Sequence, residues 1–149
     1  MHGYMEELYA ECLLWFHGFN TNEAYQSLLN EYFLNNEQSS ILLELEECSS
    51  NLLNTRGRFM RYWNYECSDF NPDAFGKRLF KSLEKVYKSN KFKIDEFAKK
   101  CNKLWFDFPS NLSQVEPFWT LIYADECLTW DDEAQTRELY ERAFAFYTL

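Results

Sequence analysis

The sequence predicts an all-α fold: a single domain, residues 1–149, built as a bundle of about six to seven helices around a long central one. Three observations carry this. Gly and Pro number only 4 and 3, too few for an all-β domain with its many tight turns. Apolar residues recur at helical steps along most of the chain. The clearest such run is 39–66, where Ile41, Leu45, Cys48, Leu52, Phe59 and Trp63 fall on one face and Leu42, Leu53 and Met60 widen it. Unbroken, this segment would be roughly 40 Å long. The polar run Ser49-Ser50-Asn51 and Gly57 mark where it can break, near 49–57.

The other elements follow in order. A first helix over 4–17 buries Met5, Leu8, Cys12 and Trp15, and Gly18 stops it. Asn20 and Glu23 have the spacing of a capping box for a second helix, with Tyr25, Leu28, Leu29, Tyr32 and Phe33 as its stripe and Asn35-Asn36 as its end. After the 39–66 segment, Asn71 caps a helix over 72–89 and Pro72 takes its first position. There Phe75, Leu79, Leu83 and Val86 face inward, and Lys77, Lys81, Lys85 and Lys88 form a basic stripe. A helix over 95–106 buries Phe97, Ala98, Cys101, Leu104 and Trp105; residues 106–109 read as extended before Pro109. A helix over 113–130 opens either on a Ser113/Glu116 capping box or at Pro117. The last helix, 131–147, begins with Asp131, Asp132 and Glu133, which suit the positive end of its dipole.

Aromatic residues make up 19% of the chain, more than a core of this size needs. Either Phe and Tyr replace Leu in the core with Tyr hydroxyls reaching water, or some rings form a binding face. The five cysteines are scattered and odd in number, which argues against a disulfide framework and for a reduced, cytoplasmic setting. The first residues carry Glu6, Glu7 and Glu11 and no basic region, unlike a secretory leader. No window approaches the ~18 apolar residues of a membrane span, so no membrane partner is expected.

Residues expected to carry chemistry are few. The histidines are His2 and His17, with no His-Glu-x-x-His, Glu-x-x-His, phosphate-binding Gly-rich loop or Gly-x-Ser-x-Gly. We therefore expect a protein that is not an enzyme and takes no cofactor or metal.

Charge is the remaining guide. The net charge is −9. Residues 1–55 hold nine acids and no Lys or Arg; 56–107 are net basic; 108–149 hold eight acids and two bases. Acids and rings interleave at Tyr123, Asp125, Glu126, Trp130, Asp131, Asp132 and Glu133, and Glu44, Glu47, Glu7 and Glu11 would extend that surface. Such a face suits a basic protein, because complementary charge speeds encounter while buried aromatic anchors supply affinity. Immunity proteins and antitoxins that block cationic nucleases use this physics. The expected function is thus an acidic protein-binding module, an immunity- or antitoxin-like inhibitor of a basic protein such as a nuclease toxin. A solvated acidic face is the competing reading. The alternatives are a ligand-binding or catalytic domain with a Trp/Tyr/Cys-lined pocket, and a homo-oligomer subunit. Nucleic acid could meet the lysine stripe, Arg56, Arg58 and Arg61 with Tyr62 and Tyr65, but the overall negative charge opposes it.

Overall fold

Helix α1 (Tyr4–Phe16) begins the computed structural model, which describes residues 3–148. It is followed by α2 (Glu23–Asn35), α3 (Ser40–Glu47), α4 (Leu52–Arg61), α5 (Pro72–Lys88), α6 (Ile94–Trp105), a single turn α7 (Ser110–Ser113), α8 (Thr120–Thr129) and α9 (Glu133–Ala145). A π-helical turn, Tyr62–Glu66, extends α4, and a 3-10 turn, Phe146–Thr148, extends α9. Among the described residues there is no strand, so the fold is all-α. The chain divides into two compact units, Met1–Phe75 and Gly76–Leu149, with the boundary inside α5.

In the first unit α1 is the hub. It packs on both α2 and α4, and α2 packs on α3. Its buried residues include Leu8, Tyr9, Cys12, Leu13 and Leu14. It ends as predicted: Gly18 takes φ 77, and the Phe19 and Gly18 N–H groups donate to Leu14 O (2.9 Å) and Trp15 O (3.1 Å). This is the Schellman closure, which needs a left-handed residue and so favours Gly. Tyr9 gathers Phe59, Trp63 and Phe75 at 5.5, 6.0 and 5.7 Å between ring centroids.

The 39–66 segment is two helices, not one rod. The break lies at 48–51, at the polar run, where Asn51 accepts the Asn54 N–H (3.0 Å) and caps α4. Thr55, fully buried, donates its hydroxyl back to Cys48 O at 2.8 Å and braces the corner. Gly57 lies inside α4. Of the nine apolar residues that defined the segment, Leu42, Leu45 and Phe59 are buried, whereas Leu53 is 73% exposed. A helical period runs through the segment, but two short helices present it to different neighbours, α3 to α2 and α4 to α1.

Other caps fall on both sides of expectation. Asn71 caps α5, accepting from Asp73 and Ala74 N–H at 3.0 and 3.2 Å. The Asn20/Glu23 capping box is not formed: Asn22 occupies the cap position of α2, and the Glu23 N–H donates to Thr21 Oγ1 at 3.4 Å. Residues 106–108 turn instead of extending, with the Asp107 and Phe108 N–H groups bonded to Leu104 O and Trp105 O. Of the predicted helix over 113–130, Thr120–Thr129 forms as α8, close to the start at Pro117; residues 114–119 turn, and α7 lies ahead of the Ser113 opening.

In the second unit α8 is the hub, packed against α6 and α9. Thr136, fully buried, donates its hydroxyl to Ala124 O (2.7 Å) and pins α9 to α8. Phe97 and Tyr140 meet edge to face at 5.1 Å. Gly76 stands mid-helix in α5 because a Cβ there would run into the Tyr147 ring.

Candidate functional site

Helix α8 has two apolar faces, and only one is covered. Leu121, Ala124 and Cys127 are buried. Trp119, Tyr123, Glu126 and Trp130 follow at steps of four, three and four along the opposite stripe, with Ile122 beside them. Trp119, Ile122 and Tyr123 are half-buried, Glu126 is exposed, and Trp130 is 65% exposed. A helix apolar all round is normally buried all round; here one aromatic stripe is left to solvent.

An open groove of about 370 Å³ runs along this stripe, lined by Trp105, Gln114, Trp119, Ile122, Tyr123 and Glu126. Trp119 and Tyr123 lie 5.1 Å apart with their ring planes inclined by 62°. Trp105 is fixed by its Nε1–H donating to Ser113 O at 2.8 Å. A second groove, about 330 Å³, shares Trp119 and adds Pro117, Arg142 and Phe146. Phe106 and Val115, beside groove residues in sequence, are 68% and 47% exposed. Trp105, Trp119 and Phe106 were missed as surface candidates because Trp105 has core-like spacing on α6, and because the start of α8 was misplaced.

The stripe ends in a charged turn. Asp131 has φ 58, and the Asp132 and Asp131 N–H groups donate to Cys127 O (3.0 Å) and Leu128 O (3.1 Å). This is the same closure that ends α1, with Asp where α1 has Gly. Asp132 also caps α9 by accepting the Gln135 N–H at 3.0 Å. Glu133 pairs with Arg137 at 2.9 Å, and Asp125 accepts from Asn102 Nδ2 at 3.1 Å. Asp131, Asp132 and Glu126 are exposed, and none of the three is in an ion pair among the described residues.

Glu44 and Glu47 belong to the first unit, and only Glu44 of the two is matched there by arginine among the described residues. Arg58 forks onto Glu44 (2.6 Å) and Glu66 (2.9 Å), and Arg61 joins them. The π-helical turn brings Glu66 into this cluster, closed by the Cys67 N–H donating to Tyr62 O at 2.9 Å. The Arg58 hydrogen bond holds the Glu66 carboxyl below the usual range. Glu47 is exposed. Glu11, expected on the surface, is 2% exposed, and Glu6 is 6% exposed, accepting the Asn71 N–H at 2.8 Å. Helix α1 buries nine of its 13 residues, Glu6 and Glu11 among them, so these two cannot extend an outer face; Glu7 is half-buried.

The remaining candidates are accounted for within the fold. Arg58 and Arg61 are matched by carboxylates, the Arg56 guanidinium lies 4.4 Å over the Phe16 ring, and of the α5 lysine stripe Lys88 pairs with Glu84 at 3.2 Å. Burial pushes the Cys12 thiol up to about 12 and raises Cys101 and Cys127 as well. These thiols stay protonated, and thiolate chemistry needs the reverse. No cysteine lines either groove. Tyr25 is fully buried and its hydroxyl, expected to reach water, has no hydrogen-bond partner among the described residues. His17 follows the last turn of α1; His2 lies outside the described residues. No group of three or more His, Cys, Asp or Glu among the described residues could hold a metal ion. Likewise, no described helix is long and apolar enough to cross a membrane. No protein-family model, curated protein or solved structure matches the chain.

Proposed function

We propose that this chain is a non-enzymatic protein-binding module whose α8–α9 face engages a basic protein. An inhibitor of a cationic protein such as a nuclease toxin, in the manner of immunity proteins and antitoxins, fits this reading. One observation carries it: the solvent-facing stripe Trp119–Ile122–Tyr123–Glu126–Trp130, ending on Asp131 and Asp132, joins aromatic anchors to unmatched negative charge. Exposed rings supply desolvation energy on contact, and surplus charge steers the approach. Asp131 adds to that charge: its exposed carboxylate stands in the left-handed turn beside Trp130, in no ion pair among the described residues.

The test uses variants that remove charge and keep both structural jobs. Asn caps helices about as well as Asp and tolerates the left-handed region, so Asp131→Asn/Asp132→Asn should fold, with a loss of no more than about 1–2 kcal/mol from the two charges at the α9 dipole. Association of the protein with a panel of cationic proteins, a basic nuclease and an arginine-rich histone among them, is followed at low and moderate salt. We expect binding that weakens with salt, and a double variant that associates about two- to tenfold more slowly with little change in dissociation. No binding to any basic protein at either salt, or a double variant that loses only stability, would reject the proposal. The pocket alternative has less support, because the grooves are open and lack cysteine. A homo-oligomer would bring two copies of a chain of net charge −9 together; sedimentation at rising concentration separates that case.

A further inference from the structure

We infer that the groove lined by Trp105, Trp119, Tyr123 and Glu126 is a receptor for a single arginine side chain of the partner. The inference rests on the protein-binding reading and names the group that this face recognises. Trp119 and Tyr123 pack edge to face, 5.1 Å between centroids with planes inclined by 62°, and both line the groove together with Trp105, whose bond to Ser113 O keeps it in place. Ring faces attract cations through their quadrupole. Glu126 adds a carboxylate on the same lining, unpaired with any cation among the described residues.

The lining discriminates among ligand classes. An aliphatic side chain would cover Glu126 and leave a desolvated charge without a partner. An anion would meet Glu126 within a block of eight acids and two bases. An ammonium is strongly hydrated and loses more in a groove of this kind. A guanidinium is flat and weakly hydrated, stacks on ring faces and can fork onto a carboxylate. The groove, about 370 Å³ and open at its surface, admits a flat group carried on a peptide.

The probe is Nα-acetyl-arginine N-methylamide, titrated into the full chain, with its citrulline analogue as the uncharged isostere. The Trp105 and Trp119 indole N–H resonances and the Tyr123 ring signals report binding by NMR. We expect saturable shifts confined to these residues, with citrulline about tenfold weaker, equivalent to about 1.4 kcal/mol. Glu126→Gln, at an exposed position, should fold normally and bring the two ligands close to parity. Equal binding of arginine and citrulline, no shifts with either, or a preference that survives Glu126→Gln overturns the receptor. If the arginine probe fails while a basic protein still binds in an Asp131/Asp132-dependent way, the receptor falls and the wider reading stands. If the probe binds and no basic protein does, the receptor stands and the wider reading falls.

Discussion

Helices α1 and α8 occupy the same place in their respective units and end in the same closure, yet they treat their outer faces in opposite ways. Nine of the 13 residues of α1 are buried, Glu6 and Glu11 included. Only four of the ten in α8 are, and Ile122 and Tyr123 form the stripe with Trp119 and Trp130 at its ends. The difference is not one of composition, since both helices mix aromatics, aliphatics and acids. It lies in coverage: α1 has α2 and α4 against it, whereas the outer stripe of α8 is covered only in part, with Trp119, Ile122 and Tyr123 half-buried and Glu126 and Trp130 exposed. The uncovered part of an aromatic stripe on a central helix contributes little to the fold and is available for contact. The largest test of this contrast is therefore a pair of truncations. Leu13→Ala, at a fully buried site, should cost about 2–5 kcal/mol. Trp130→Ala removes a far larger side chain but should change stability by less than about 1 kcal/mol. It should also weaken binding to a cationic protein by about tenfold or more, as loss of an aromatic anchor does. Denaturant melts and binding isotherms check both; a Trp130 variant that unfolds like the Leu13 variant would remove the distinction.

How far the two helices could be told apart from sequence follows from their patterns. The all-α class, the extent of α1, its Gly18 stop and the Asn71 cap of α5 were legible, because each depends on a local rule. The acidic turn after Trp130 was legible too, as a cluster. Burial of Glu6 and Glu11 was not, because burial on every side is set by neighbours distant in sequence. The break at 48–51 was marked by polar residues, but a helical period carries through a corner and hides it. Trp105 and Trp119 joined the site only once the turn through Pro117 was known, since that turn sets where α8 begins and which side its rings face.

A second test addresses how charge is used in the two units. In the first, Arg58 matches Glu44 and Glu66, so this acidity is internal. Glu66 titrates below its usual range because of Arg58. A carboxyl depressed in the folded state stabilises fully above its unfolded pKa, near ~4.3, and that contribution is lost as pH falls through the folded value. The stability gap between the parent and Arg58→Gln should thus be widest at neutral pH, narrow below about pH 4.3 and close in stronger acid. Chemical denaturation across pH 3–7 measures it, on the small scale of a solvent-screened surface ion pair. A gap independent of pH would mean that Arg58 acts by packing alone. The first unit would then resemble the second, with acids not tied to folding.

The smallest effect is the sharpest. Gly18 and Asp131 hold the same left-handed position at the ends of α1 and α8, with φ 77 and 58. Glycine is the residue that this position prefers on steric grounds. If both were there for folding alone, both should be at or near their best residue. Gly18→Asp should instead cost about 1 kcal/mol, while Asp131→Gly should gain about 0.5–1 kcal/mol. The two changes thus carry opposite signs in one motif. Asp131→Gly should also slow association with a cationic protein, whereas Gly18→Asp, at the end of the covered helix, should leave association unchanged. Thermal melts and association rates on the two variants give four readings. A gain in stability with a loss in association rate at Asp131 is the pattern of a residue kept for contact at some cost in stability. A loss of stability with no change in rate would make the turn a structural element like that of α1, and the contrast between the helices would rest on the tryptophans alone.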